Sequence, residues 1–250
     1  MKFLAALQFL TIFPVRRDFS PEEIGQSLGY FPIVGLILGL VLAGLSWLLD
    51  LLLPVALVDI LLIVTLVVAT GALHLDGLLD ACDGIAAHKT PQERLDVMRD
   101  SRAGAFGVIG ACCLLLLKYI SLTTMPESAR MAALVLMPVL GRWGTVYAVF
   151  AYPYATRHGV GRIFKEQGRW RDLALATITA LFVAVVLGRF GGLVVMFGIW
   201  ITVITMAAYL GSRFGGLTGD TCGAITEVTE TSVLIIVSLF VRNHWFWAWP

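Results

Sequence analysis

Several stretches of this chain run for about 20 residues with almost no charge, the length an α-helix needs to cross a hydrocarbon core roughly 30 Å thick. Within lipid every backbone N–H and C=O must find its partner inside the protein, which leaves helices or a closed barrel. The apolar runs lack the alternation of barrel strands. With 58% hydrophobic and only 14% charged residues, the chain reads as an all-α, polytopic transmembrane helical bundle with short interfacial helices on its cytoplasmic side.

Candidate spans fall at 30–53, 55–75, 104–124, 131–151, 173–187, 192–210 and 231–249, about seven with a range of six to eight. The stretch 173–210 supplies two of them only if the chain turns at Gly188-Arg189-Phe190-Gly191-Gly192. If residues 1–29 are cytoplasmic, then 76–103, 152–172 and 211–230 share that side, and thirteen of the eighteen basic residues fall there. This asymmetry is the positive-inside pattern and predicts a site facing the cytoplasm of a bacterial inner membrane. The N-terminal MKFLAALQFLTIFPVRR has no small-residue cleavage site and is too short to span before Pro14, so it is expected to be retained, with 1–29 interfacial or re-entrant. No repeat or long linker divides the chain, and 1–250 is read as one catalytic domain.

A net charge near +1, with no basic patch interleaved with aromatics, excludes nucleic acid as a natural partner. Cys82, Cys112, Cys113 and Cys222 lack paired C-x-x-C spacing and read as free thiols. Fourteen of the seventeen acidic residues nevertheless crowd onto the side expected to face the cytoplasm. Carboxylates carry little weight in topology, so this concentration has another cause.

The centre of it is LHLDGLLDACDG at 73–84. Asp76, Asp80 and Asp83 stand at i, i+4 and i+7, on one face of a helix. Like charges so placed repel, and an oxygen-only cluster is neutralised best by a hard cation such as Mg²⁺, Mn²⁺ or Ca²⁺. A solvated acidic helix end is the alternative, but Gly77 and Gly84 weaken the helix and suit the close approach of a ligand or another backbone. Downstream, Thr90-Pro91-Gln92-Glu93 has the pattern of a capping box, which occupies Glu93. Asp96 reads equally as solvated or functional, whereas Asp100 stands between Arg99 and Arg102. A third cluster, SRFGGLTGDTCGAITEVTE at 212–230, offers glycine-rich backbone to phosphate and places Asp220 and Glu227 at i, i+7. Arg142 falls mid-span and must point inward to a carboxylate or phosphate, with a structural ion pair as the alternative, and Lys118 lies in another span. Arg157, Arg162, Lys165, Arg169 and Arg171 make a basic loop that suits anionic headgroups or a phosphorylated substrate. His74 precedes Asp76 by two residues and suits either ligation across a local break or an orienting hydrogen bond, while His88, His158 and His244 lack zinc-protease spacing.

Carboxylates for a divalent cation, arginines and glycine-rich backbone on one membrane face are what transfer of a phosphoryl-type group requires. The chain resembles the cobalamin synthase family, the adenosylcobinamide-GDP ribazoletransferases, in ALQFLTIFPV, GYFPIVGLILG, LHLDGLLDACDG, VMRDSRAGAFG, LGRW and GGLTGDTCGAITEVTE. The resemblance implies joining adenosylcobinamide-GDP to α-ribazole or its 5′-phosphate, with release of GMP and with Mg²⁺ as cofactor. It implies metal and phosphate handling by Asp76, Asp80, Asp83 and Asp100, and catalytic work by Asp83, Asp100, Asp220 and Glu227. Substrate contacts are expected from His74, Arg99, Arg102, Arg142, Lys165, Thr218 and Gly219. The expected partners are these substrates and the bilayer, with a homo-oligomer or contacts to other cobalamin-pathway enzymes left open.

A second resemblance, Asp80-x-x-Asp83-Gly84-x-x-Ala87 with Asp96 and Asp100 downstream, is similar to the CDP-alcohol phosphotransferase signature, with His88 in place of its arginine. Lipid headgroup transfer is therefore the alternative within the same chemistry. A cation-coupled transporter is the alternative outside it, disfavoured because the acids gather at span ends and no inverted repeat is visible. If the aspartate face does the chemistry, Asp83→Asn abolishes turnover while the protein still inserts in membranes. Near-wild-type activity of that variant refutes the role.

Overall fold

The computed structural model describes residues 1–15, 17–87, 90–100, 102–156 and 159–242, with side chains up to 240. His88, Arg157, His158 and His244, together with the end of the expected last span at 249, lie outside the described residues. Everything described is helix or connection, apart from one isolated bridge between Tyr154 and Leu217.

A nine-residue helix α1 (Lys2–Leu10) is followed by the short α2 (Pro21–Gly25), which Ser20 and Glu23 open with a capping box. A 3₁₀ turn at Leu28–Tyr30 leads into the apolar α3 (Phe31–Leu49). Next come α4 (Val55–Ala69) and α5 (Leu73–Ala86), joined through Gly71 and Ala72 with positive φ and bent by 89°. The expected span 55–75 therefore stops at Thr70, and His74 belongs to the same helix as the three aspartates. After α6 (Pro91–Met98), whose Thr90/Glu93 capping box forms as expected, come α7 (Ala105–Thr123), α8 (Glu127–Ala151) and α9 (Val160–Gln167).

Helix α10 (Trp170–Phe214) turns at Arg189, whose φ of 49° and ψ of −129° are not helical. Gly192 packs so closely on Ala184 that a Cβ would fall 1.8 Å from its carbonyl oxygen, a contact that a straight helix cannot make. Trp143 Nε1 donates to Thr177 on the first arm, and the neighbouring Gly144 approaches Val203 on the second. The two arms run antiparallel about the expected turn.

The final helix α11 (Gly219–Arg242) departs most from expectation. A span beginning at 231 avoids the charges before it, whereas the helix begins twelve residues earlier and carries Asp220, Glu227 and Glu230 inside the bundle. Cations on neighbouring helices make this tolerable. Lys118 Nζ of α7 lies 2.7 Å from Glu227 Oε2 and 2.6 Å from Glu230 Oε2, and Arg142 of α8 pairs with the other oxygen of Glu230. Arg142 is 1% exposed and Lys118 3%. Two cations and two anions cancel, which offsets the cost of burying each alone, about 2.5–3.5 kcal/mol for an Arg or Lys at the centre of a membrane helix.

Five helices, or six if the bent α4–α5 pair makes one span, are long and apolar enough to cross a membrane. Helix α8 is their hub, buried without interruption from Ala132 to Val146. Against lipid, apolar side chains gain little by leaving the solvent, so close packing of small residues holds helices together. Gly35 and Gly39, four apart on α3, do this against α8, where a Cβ would come within 2.4 Å of the Pro138 carbonyl and 2.7 Å of Val135 Cα. At the end away from α5, Arg130 lies 2.7 Å from Asp59, whose other oxygen accepts from Thr123 at 2.9 Å.

Removing one partner of the inner network leaves an uncompensated buried charge, so Lys118→Met should cost about 3–5 kcal/mol. Arg162→Ala, which breaks an exposed pair with Glu166, should cost about 1 kcal/mol or less. Thermal unfolding in a mild detergent separates the two.

Candidate functional site

Helix α5 lies between α7 and α11, and two close approaches fix it there. A Cβ on Gly77 would meet the Asp220 backbone at 2.7 Å, and one on Gly223 would meet the His74 carbonyl at 3.0 Å. Gly77 and Gly223 thus serve a helix-to-helix contact, which seats Asp220 opposite the acidic face of α5. Asp80 feels the charges of Asp220, Asp76 and Asp83, and Asp220 feels that of Asp76. No ion pair among the described residues engages Asp76, Asp80 or Asp220.

Asp83 is held differently. Its two carboxylate oxygens accept the backbone N–H groups of Gly104 and Gly107, both at 2.8 Å, so it caps the start of α7. The segment MRDSRAG is thereby tied to the aspartate face by backbone rather than by its arginines. Asp100 and Arg102 form an exposed bidentate pair with a closest approach of 2.7 Å, and the guanidinium holds the Asp100 carboxyl down at about 2. Arg99 lies 3.3 Å from Asp96, also exposed.

Two spaces flank the aspartates. An open basin of about 860 Å³ is lined by Asp80, Asp83, Glu93, Asp96, Asp100, Arg102 and Phe106. A more enclosed cavity of about 380 Å³ has a polar side formed by His74, Asp76, Arg99, Thr145, Tyr154, Thr218, Gly219 and Asp220. Its other side is apolar, with Phe9, Leu10, Leu28, Phe31, Val149 and Phe164. Tyr154 leans against Gly161, its hydroxyl engaging Thr156 and the Gly219 backbone, and burial pushes its pKa up, so that it stays a neutral phenol at any ordinary pH. Thr218 caps α11 by accepting from Thr221 N at 3.1 Å.

The structure brings together Asp76, Asp80, Asp83, Asp220, His74, Thr218 and Gly219, with Asp100, Arg99 and Arg102 at the rim. It sets three predicted residues apart. Glu227 and Arg142 belong to the buried network below the cavity, where Arg142 Nε and Nη2 have no partner among the described residues. Lys165 donates to the carbonyls of Val149, Phe150 and Tyr152 at 2.8–3.1 Å, closing the end of α8. Sequence reasoning passed over Tyr154 and the aromatic wall, because their residue types carry no chemical signature and their positions span 155 residues of chain. It also passed over Arg94, which donates to the Gly84 and Ile85 carbonyls at the end of α5.

Among the described residues, no three His, Cys, Asp or Glu side chains converge to grip a metal ion by themselves. The donor set still fits Mg²⁺, which keeps much of its water and is commonly held by one or two carboxylates together with substrate phosphates. Asp76 and Asp220 on the cavity and Asp80 on the basin offer hard oxygen donors with no paired cation among the described residues.

Comparison with known proteins places residues 2–238 under the model of the cobalamin-5-phosphate synthase family. The chain is 38% identical over 236 residues to an adenosylcobinamide-GDP ribazoletransferase of Roseiflexus sp., covering 94% of this chain and 88% of that one. To the protein of the same name from Desulforamulus reducens it is 39% identical over 242 residues, covering 94% of each. No solved structure matches the chain.

The α5–α11 contact yields a direct test. Gly77→Ala forces α11 away and separates Asp76 from Asp220, so turnover should fall at least tenfold with about 1–3 kcal/mol lost in stability. Gly44→Ala, with nothing near its Cβ, should leave turnover unchanged and stabilise α3 by roughly 0.5–1 kcal/mol.

Proposed function

The chain belongs to the cobalamin-5-phosphate synthase family, and on that premise we propose that its aspartate face joins adenosylcobinamide-GDP to α-ribazole or its 5′-phosphate with release of GMP. The observation that carries this reading is the set of carboxylates from α5 and α11 standing between two spaces, one for each substrate. A ribazole hydroxyl attacks the phosphorus that bears cobinamide. The new P–O bond forms as the bond to GMP breaks, and the hydroxyl proton passes to solvent or a basic oxygen.

Asp76, Asp80 and Asp220 are the residues that would hold Mg²⁺ against the pyrophosphate. When bound, the ion neutralises phosphate charge and makes GMP a better leaving group. Asp83 keeps the α7 terminus against the face, so that Gly104 and the Asp100–Arg102 pair border the basin. Arg99 and Arg102, exposed at the rim, are placed to meet phosphate oxygens. Glu227 and Arg142 support the site from below, and Lys165 supports it from the end of α8.

Charge and topology support a membrane placement for this site. Counting the arms of α10 separately and α4–α5 once gives seven crossings, with the ends that carry the aspartates on the Lys/Arg-rich side, the cytoplasmic side of the bacterial inner membrane. Helix α4 has only 15 residues, about 22 Å of helix, so α5 turns across the bundle before the full thickness is crossed. Helices α1, α2, α6 and α9 then lie at the interface. Arg162 of α9 and Arg169 and Arg171 beyond it meet anionic headgroups there.

Purified protein in nanodiscs, given adenosylcobinamide-GDP, α-ribazole 5′-phosphate and Mg²⁺, should release one GMP per joined corrinoid. Chelation with EDTA should stop it, and returned Mg²⁺ should restore it. No product, together with headgroup transfer from a CDP-linked lipid, overturns the assignment.

A further inference from the structure

The two spaces beside the aspartates differ in character, and the difference assigns them. We propose that the enclosed cavity receives the base of the ribazole nucleoside, ring first, with its ribose at the aspartate mouth, while the corrinoid nucleotide approaches through the open basin. The assignment rests on the ribazoletransferase reading and specifies which substrate enters where.

Three observations carry it. The inner wall is aromatic: Phe164 meets Phe9 and Phe31 edge to face, with ring centroids 4.9 and 5.4 Å apart, and Phe9 stacks on Phe31 at 5.9 Å. Such a wall presents ring faces and edges to another flat ring, and Leu28 and Val149 complete it without a polar side chain. The competing aromatic ligand is the guanine of the leaving nucleotide. Guanine carries hydrogen-bonding groups around its edge, which would lose water against that wall and find no polar side chain in it among the described residues. The alkylated benzimidazole of ribazole has an apolar outer edge, and its one free ring nitrogen lies on the side of the ribose, toward the polar mouth.

Size separates the substrates as well. A space of about 380 Å³ lies at the small end of the range for single-ligand pockets, roughly 300–1,000 Å³, and suits one nucleoside. A corrinoid with its nucleotide does not fit there, but the basin is open enough to take its phosphate end from outside the bundle. Finally, the mouths adjoin. Asp76 lines the cavity and Asp80 lines the basin, one helical turn apart on α5. A ribose hydroxyl at the first mouth therefore faces a phosphorus at the second.

The test measures KM separately for each substrate. Val149→Phe fills the cavity and should raise the KM for α-ribazole at least tenfold, leaving that for adenosylcobinamide-GDP within twofold. Phe164→Leu, a smaller side chain in the same wall, should change the ratio of KM between dimethylated and unsubstituted benzimidazole riboside at least threefold. It carries the test if the first variant fails to fold in detergent. A rise in corrinoid KM alone, or unchanged KM and base preference in folded variants, overturns the assignment. Wild-type protein that releases no GMP would instead refute the underlying activity, so the two failures are distinguishable.

Discussion

The cluster of Lys118, Arg142, Glu227 and Glu230 is the constraint on which the rest of the structure depends. Each of these charges is prohibitive alone inside an apolar bundle, and each is tolerated because the others cancel it. Their pairing ties α7, α8 and α11 together at one depth. Once α11 is fixed by this network, its first turn can stand only where α5 meets it, and Asp220 is carried to the aspartate face. The charges below the site thus set the geometry of the site without lining it.

The aspartate face shows the same economy. Asp83 spends both oxygens on backbone N–H groups of α7, while Asp76, Asp80 and Asp220 have no cationic partner among the described residues. A helix terminus stabilises a carboxylate by its dipole and its unpaired N–H groups, so Asp83 is already compensated. The remaining three are not, and a cation placed among them would relieve their mutual repulsion. Mg²⁺ suits such a place because substrate oxygens and water complete its shell.

Much of this was legible in the chain. The lengths of the apolar runs gave α3, α7 and α8 within a few residues, the glycines at 188–192 marked the turn in α10, and Thr90 with Glu93 marked the start of α6. The i, i+4, i+7 spacing put three aspartates on one helix. The start of α11 was not legible, because hydropathy counts Glu227 and Glu230 as excluding a membrane interior and knows nothing of Lys118, more than a hundred residues away. The same blindness hid the commitment of Lys165 to α8 carbonyls and the aromatic wall drawn from α1, α3 and α9.

The sequence by itself determined that this is a helical membrane protein with a carboxylate-rich face, because backbone hydrogen bonding in lipid and helical periodicity are local properties of the chain. Its motifs also carried the family. Only the tertiary structure decided which acids remain uncompensated, which cations are spent on structure, and where an apolar cavity meets a polar basin. Those outcomes depend on pairings between helices distant in sequence, and a charge acquires its role from its neighbour in space.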